Sequence, residues 1–169
     1  MIDSPRIKLV ELEDEEEAVN IRKALGNSPG TARALRALSQ HLSASGLDQQ
    51  IRELAIVTVA KETNCAYELH AHLFFARKTG LPRDLLDRLG DPDLENEPYP
   101  VGPVIAFVRR VARGEEVDDA TYSAMRSRLG DSGIVDLMGV IGYYLFISRF
   151  INLVKIPLEP WMVGKSLPA

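Results

Sequence analysis

The chain has 169 residues, 46% hydrophobic and 26% charged, with a formal net charge of −4. The length suits one domain with a real core, the composition is that of a soluble globular protein, and the negative balance argues against nucleic acid or an anionic membrane as partner. Cys65 is the single cysteine, which excludes an intramolecular disulfide and a disulfide-stapled secreted module; the expected compartment is the reducing cytoplasm.

Residues 1–12 read as an extended arm without the apolar core of a secretory signal. The acidic run from Glu13 to Glu17 then precedes Ala18, Ile21, Ala24 and Leu25, with negative charge in a first helical turn where the helix dipole favours it. Gly26 closes that helix. Pro29 opens a second, whose apolar face carries Leu35, Leu38 and Leu42. Asp48 caps a third, with Ile51, Leu54, Ala55, Thr58 and Val59 at helical spacing. Thr63-Asn64 marks a break. A fourth helix is expected from Cys65 to about Lys78, ended by Gly80 and Pro82, and a short amphipathic one over 83–89.

The segment GDPDLENEPYP, 90–100, reads as an ordered loop inside one domain. Further helices are expected over about 103–113, 118–129 and 132–153, with Asp118 and Asp131 as caps. Leu137 to Ile147 is the longest apolar stretch, about half of the roughly 20 residues that cross a bilayer. Asp136 and Arg149 flank it, so it reads as a core helix and no membrane partner is expected. Period-two alternation is not found, and the expected fold is an all-α helical bundle over 1–169.

Chemistry concentrates between Glu53 and His72. On an ideal helix Cys65, Glu68 and His72 project at 0°, roughly −60° and roughly −20°, a shared face that Ala76 continues. Glu53 lies on the preceding helix and approaches the same group if the two helices pack as a hairpin. A carboxylate beside an imidazole holds its tautomer and raises its pKa, and partial burial raises a carboxylate. Such a pair can move a proton near neutral pH, or serve only as a structural hydrogen bond. His70 lies about 200° from His72, so the two do not share a metal on one helix, and no metal site or other cofactor is expected. His41 reads as a partly exposed polar position. Tyr143 and Tyr144 read as packing residues, with a hydroxyl pointing at the pocket as the alternative for one of them. Gly139 to Gly142 lacks the lysine and preceding strand of a phosphate loop, and Gly142 reads as a site of close helix packing.

The segment resembles the core motif of the carboxymuconolactone decarboxylase-like superfamily, which includes the D-type alkylhydroperoxidases. That motif is a Glu, eleven residues, a Cys, two residues, a Cys, three residues and a His. Glu53, Cys65 and His72 match it, and Glu68 stands at the second cysteine. The resemblance extends over about residues 35–160, through Tyr67-Glu68, Gly80-Leu81, Glu116 to Tyr122, Gly142-Tyr143-Tyr144, Arg149-Phe150, Asn152 and Ile156-Pro157. It implies an alkylhydroperoxidase D-like helical fold in a homo-oligomer, commonly trimeric or hexameric, with sites near subunit contacts.

The resemblance implies Glu53, Cys65, Glu68 and His72 as catalytic candidates; Tyr67 and Arg149 are candidate substrate contacts, with core packing as the alternative for Tyr67 and an inter-helix bridge for Arg149. One cysteine cannot cycle between dithiol and disulfide, so dithiol peroxide reduction is not expected. The first expectation is a lyase acting on a small organic acid or lactone. In it His72, oriented by Glu68 or Glu53, protonates the carbanion left by decarboxylation, and Arg149 holds a second carboxylate. The second expectation is an antioxidant of peroxiredoxin type using Cys65 alone. Asn64 as a cap would favour thiolate there, whereas the alternative for Cys65 is a small buried residue. The third is a non-catalytic helical oligomer that binds a small molecule.

Overall fold

The computed structural model describes residues 4–12 and 19–162. Seven α-helices and no strand occur among them: α1 (Asn20–Leu25), α2 (Pro29–Ala44), α3 (Gln49–Glu62), α4 (Ala66–Lys78), α5 (Arg83–Asp87), α6 (Val101–Arg113) and α7 (Asp119–Val154). The acidic run 13–17 lies outside the described residues.

The helix ends follow local chemistry. Asp48 Oδ1 accepts the backbone N–H groups of Gln50 at 2.8 Å and Ile51 at 3.1 Å, two of the donors a helix start leaves unpaired. Asn64 takes a left-handed conformation, φ 52°, and turns the chain sharply between α3 and α4. The N–H of Cys65 then closes back on the Ala60 carbonyl at 2.8 Å. Asn152 of α7 donates to the Thr63 carbonyl at 2.8 Å and ties this turn to the C-terminal helix. The expected break near 130 is present: Gly130 leaves helical geometry at φ 68° and ψ 177°, separating α7 into limbs 119–129 and 131–154.

At the centre is α3. Every residue from Glu53 to Ala60 is buried, so this helix is covered all round by α4, α6 and α7. The sequence reading placed a single apolar face there; Ile56, Val57 and Ala60 are buried as well. Leu54, Val104, Val108, Leu137 and Val140 share the main core with it. A second cluster joins Cys65 and Tyr67 to Ala24, Ile147 and Ile151.

Close packing of α2 against α7 occurs at Gly139, not at Gly142 as the sequence reading expected. A Cβ at Gly139 would meet Leu42 at 2.8 Å, whereas one at Gly142 meets nothing within 4 Å. By length and composition α7 is apolar enough to cross a membrane. In the fold, its Leu137, Val140, Ile141, Ile147 and Ile151 pack into the interior, while Val135, Met138, Phe146 and Leu153 face outward.

Candidate active site

Antiparallel packing of α3 on α4 brings Glu53 to His72. Nδ1 of His72 lies 2.9 Å from Oε2 of Glu53. A carboxylate only accepts, so Nδ1 carries the proton and donates it. Glu68, one helical turn before His72, places Oε2 3.6 Å from Nε2, an ion-pair distance beyond a hydrogen bond. The imidazole therefore has a carboxyl group near each nitrogen. Burial pushes the Glu68 carboxyl above its ordinary value, and the charge of His72 offsets part of that rise.

The pair opens onto a cavity of about 220 Å³ between α2, α3, α4 and α7. From α3 come Arg52, Glu53 and Ile56, and from α4 His72 and Phe75. The opposite wall is Ser39, Leu42 and Ser43 of α2, with Val140, Tyr143 and Tyr144 of α7. His72 stays 17% exposed, so the imidazole is reachable while both carboxylates are nearly covered. The Tyr144 ring meets it edge-on at 5.0 Å. Burial first, and then the Glu68 and Glu53 carboxylates, hold the Tyr144 hydroxyl well above its ordinary value, so it is a neutral donor.

The other sequence candidates lie elsewhere. Cys65 is 1% exposed and is not part of the cavity wall. It forms the N-cap of α4 itself without a side-chain cap bond, and burial raises its thiol, so the expected aid to a thiolate is absent. Tyr67 does not reach the cavity either: its hydroxyl donates to Oε1 of Glu159 at 2.6 Å, away from the pocket. That carboxylate also accepts from the Asn20 backbone at 2.6 Å. Arg149 is exposed and outside the cavity wall. The guanidinium that does line it belongs to Arg52, which was not among the sequence candidates. Its position, directly before Glu53, was the available signal. Ser39 and Ser43, one turn apart on α2, were not singled out at all.

His70 is half-buried, with Nδ1 at 2.7 Å from the Ala66 carbonyl, and His41 is exposed, with Nε2 3.9 Å from Asp136. Among the described residues no group of three or more His, Cys, Asp or Glu has an arrangement that could hold a metal ion.

Residues 29–89 match the Carboxymuconolactone decarboxylase family. No curated protein matches the chain in sequence. In fold it is similar to the alkylhydroperoxidase AhpD core of an uncharacterized peroxidase-related protein from Ralstonia eutropha JMP134, with a TM-score of 0.78, 20% identity and 94% of each chain covered. An uncharacterized peroxidase-related protein from Silicibacter sp. TM1040 gives a TM-score of 0.72 at 22% identity, over 86% of this chain and 79% of that one. The debrominase Bmp8 in complex with 2,3,4-tribromopyrrole gives 0.75 at 12% identity, over 94% and 96%.

Proposed function

We propose that this chain, whose residues 29–89 match the Carboxymuconolactone decarboxylase family and whose helical fold is similar to an alkylhydroperoxidase AhpD core, is a lyase that moves a proton on a small organic acid or lactone. The observation that carries this reading is the 2.9 Å Glu53–His72 bond at the wall of an open cavity. Glu53 holds the Nδ1 proton, which leaves Nε2 as the atom that gives and takes. Loss of CO2 leaves the bonding electron pair on the adjacent carbon as an enolate. A proton from the imidazolium passes to that carbon, and the neutral ring recovers one from Glu68 or water. A positioned acid of this kind is worth about 10²–10⁴ in rate.

The Cys65 peroxidase reading is weaker, because peroxide would have to reach a thiol that is 1% exposed. A non-catalytic binding role would use the same cavity without turnover. The partners proposed are a small molecule and further copies of the chain, as a trimer or hexamer. The outward apolar residues of α7, Val135 at 69% exposed and Leu153 at 65%, support a homo-oligomer.

The test is CO2 release from a panel of small unsaturated and lactone acids. His72→Ala and Glu53→Gln are expected to lose at least about 10²-fold in turnover. Unchanged turnover of an identified substrate in both variants removes the acid–base assignment.

A further inference from the structure

Resting on that acid–base reading, we propose that Arg52 is the specificity residue of the cavity, and that its ligand is a small planar ring acid with one carboxylate on this guanidinium. Arg52 lines the cavity with its side chain 16% exposed. Its Nη1 donates to the Ser43 carbonyl at 2.9 Å, and its Nε stands 3.5 Å from Oε1 of Glu53. Nη2 has no hydrogen-bond partner among the described residues. The planar fork is thus anchored at one end, with donor capacity left over, and guanidinium matches carboxylate geometry better than any other side chain.

Charge supports an anion at this place. Glu53 is shared between His72 and Arg52, and the raised Glu68 carboxyl keeps its proton to higher pH than an ordinary one. The remaining polar groups of the wall are hydroxyls: Ser39, Ser43 and the two tyrosines. Burial keeps both tyrosines protonated beyond their ordinary range. They are neutral donors beside one cation.

Size and shape fix the rest of the class. A cavity of roughly 150 Å³ holds benzene, and drug-sized ligands need about 300 Å³ or more. The 220 Å³ here takes one ring and its carboxyl substituents. Four rings line it: His72, Phe75, Tyr143 and Tyr144. Tyr143 and Tyr144 meet edge to face at 5.1 Å and 77°, and a wall of aromatic rings offers a flat π system stacked or edge contacts that a puckered ring does not make. The carboxylate on Arg52 is the one that is retained in the product. A guanidinium stabilises its charge in the ground state and so opposes loss of CO2 from that same group.

The experiment is an amide NMR titration with benzoate, benzamide and cyclohexanecarboxylate on the wild type, Arg52→Gln and Arg52→Lys. Benzoate is expected to shift amides around the cavity, with the other two ligands at least about tenfold weaker. Arg52→Gln is expected to weaken benzoate by roughly ten- to hundredfold and to erase its advantage over benzamide, with Arg52→Lys recovering part. Wild type binding benzoate no better than benzamide overturns the proposal, and that comparison needs no variant to fold. So does Arg52→Gln binding benzoate like the wild type. The acid–base reading fails separately: turnover that survives His72→Ala removes it and leaves an Arg52-dependent benzoate site standing.

Discussion

His72 and Glu53 meet across the α3–α4 hairpin, Nδ1 to Oε2 at 2.9 Å, although 19 positions separate them in the chain. This bond sets the tautomer of the neutral ring as Nδ1–H. The expected ¹⁵N shifts of His72 are those of a protonated Nδ1 and an unprotonated Nε2. Glu53→Gln replaces an obligate acceptor by an amide that presents either end, and both tautomers then mix. A pure Nε2–H ring in the wild type would show that Glu53 does not orient the imidazole.

Glu68 gives a pH dependence with a definite sign. Burial raises its carboxyl in the folded chain. Above the ordinary glutamate value of about 4.3 the unfolded chain releases this proton while the folded chain retains it. Stability falls as pH rises through that window, and the loss is complete above the raised folded value. Glu68→Gln removes the titration. The melting temperature of the variant minus that of the wild type is expected to increase from about pH 4 upward. A difference that is flat, or that shrinks with pH, contradicts a raised Glu68.

Cys65 is expected to behave as an inert core residue. It is 1% exposed and its thiol is raised by burial, which a hydrogen bond from the Glu68 backbone offsets only in part. Native protein should react with a thiol reagent only as fast as it opens, and denatured protein should give one equivalent at once. Cys65→Ala should cost about 1 kcal/mol in stability and leave any peroxide consumption unchanged. Rapid native labelling would reopen a redox role.

How much of this was legible beforehand follows the range of each interaction. The starts of α2, α3 and α4 were readable because Pro29, Asp48 and the Thr63-Asn64 break act within a turn of themselves. Glu68 and His72 were readable as sharing a helix face for the same reason. That Glu53 is the nearer partner of His72 depends on how two helices pack, which spacing permits but does not dictate. The choice of Arg52 over Arg149 is likewise tertiary: one borders the cavity on the central helix, the other faces outward from α7. Tyr67 is drawn off the site by Glu159, a tail residue with no local signal linking it to α4.

Arg109 of α6 clamps the segment that follows α5. It is 2% exposed. Nη2 donates to the carbonyls of Leu89 at 3.0 Å and Asp91 at 2.9 Å, and Nη1 to Oε1 of Glu95 at 3.0 Å. Nε stands 3.4 Å from Glu62, an ion pair without a hydrogen bond. Arg109→Met would take the donor from the Leu89 carbonyl, leave the Asp91 carbonyl only the Leu94 N–H at 3.4 Å, and leave Glu95 only Arg110 at 3.5 Å. Removing one partner of a buried charge pair costs about 3–5 kcal/mol. The expected loss lies near the lower end, because Glu62 keeps a bidentate bond to Arg113 at 2.7 and 3.1 Å. Denaturant unfolding measures it, and a loss under about 1 kcal/mol would mean the clamp is not a major source of stability.

Gly102 tests the same region without touching a charge. A Cβ there would stand 2.1 Å from the carbonyl oxygen of Glu97 and 2.7 Å from that of Glu95, both backbone atoms. The start of α6 is pressed against the 3-10 turn Pro92–Asn96, and this contact exists because the helix has no side chain at that point. Relief requires moving the main chain at Glu95 and Glu97, so Gly102→Ala is expected to destabilise by more than about 2 kcal/mol. Gly30 is the control. It lies in the first turn of α2 with nothing within 4 Å of an added Cβ, and Gly30→Ala is expected to gain up to about 1 kcal/mol from helix propensity. If the two substitutions had similar effects, the close approach of α6 to the 92–97 segment would not be present in solution.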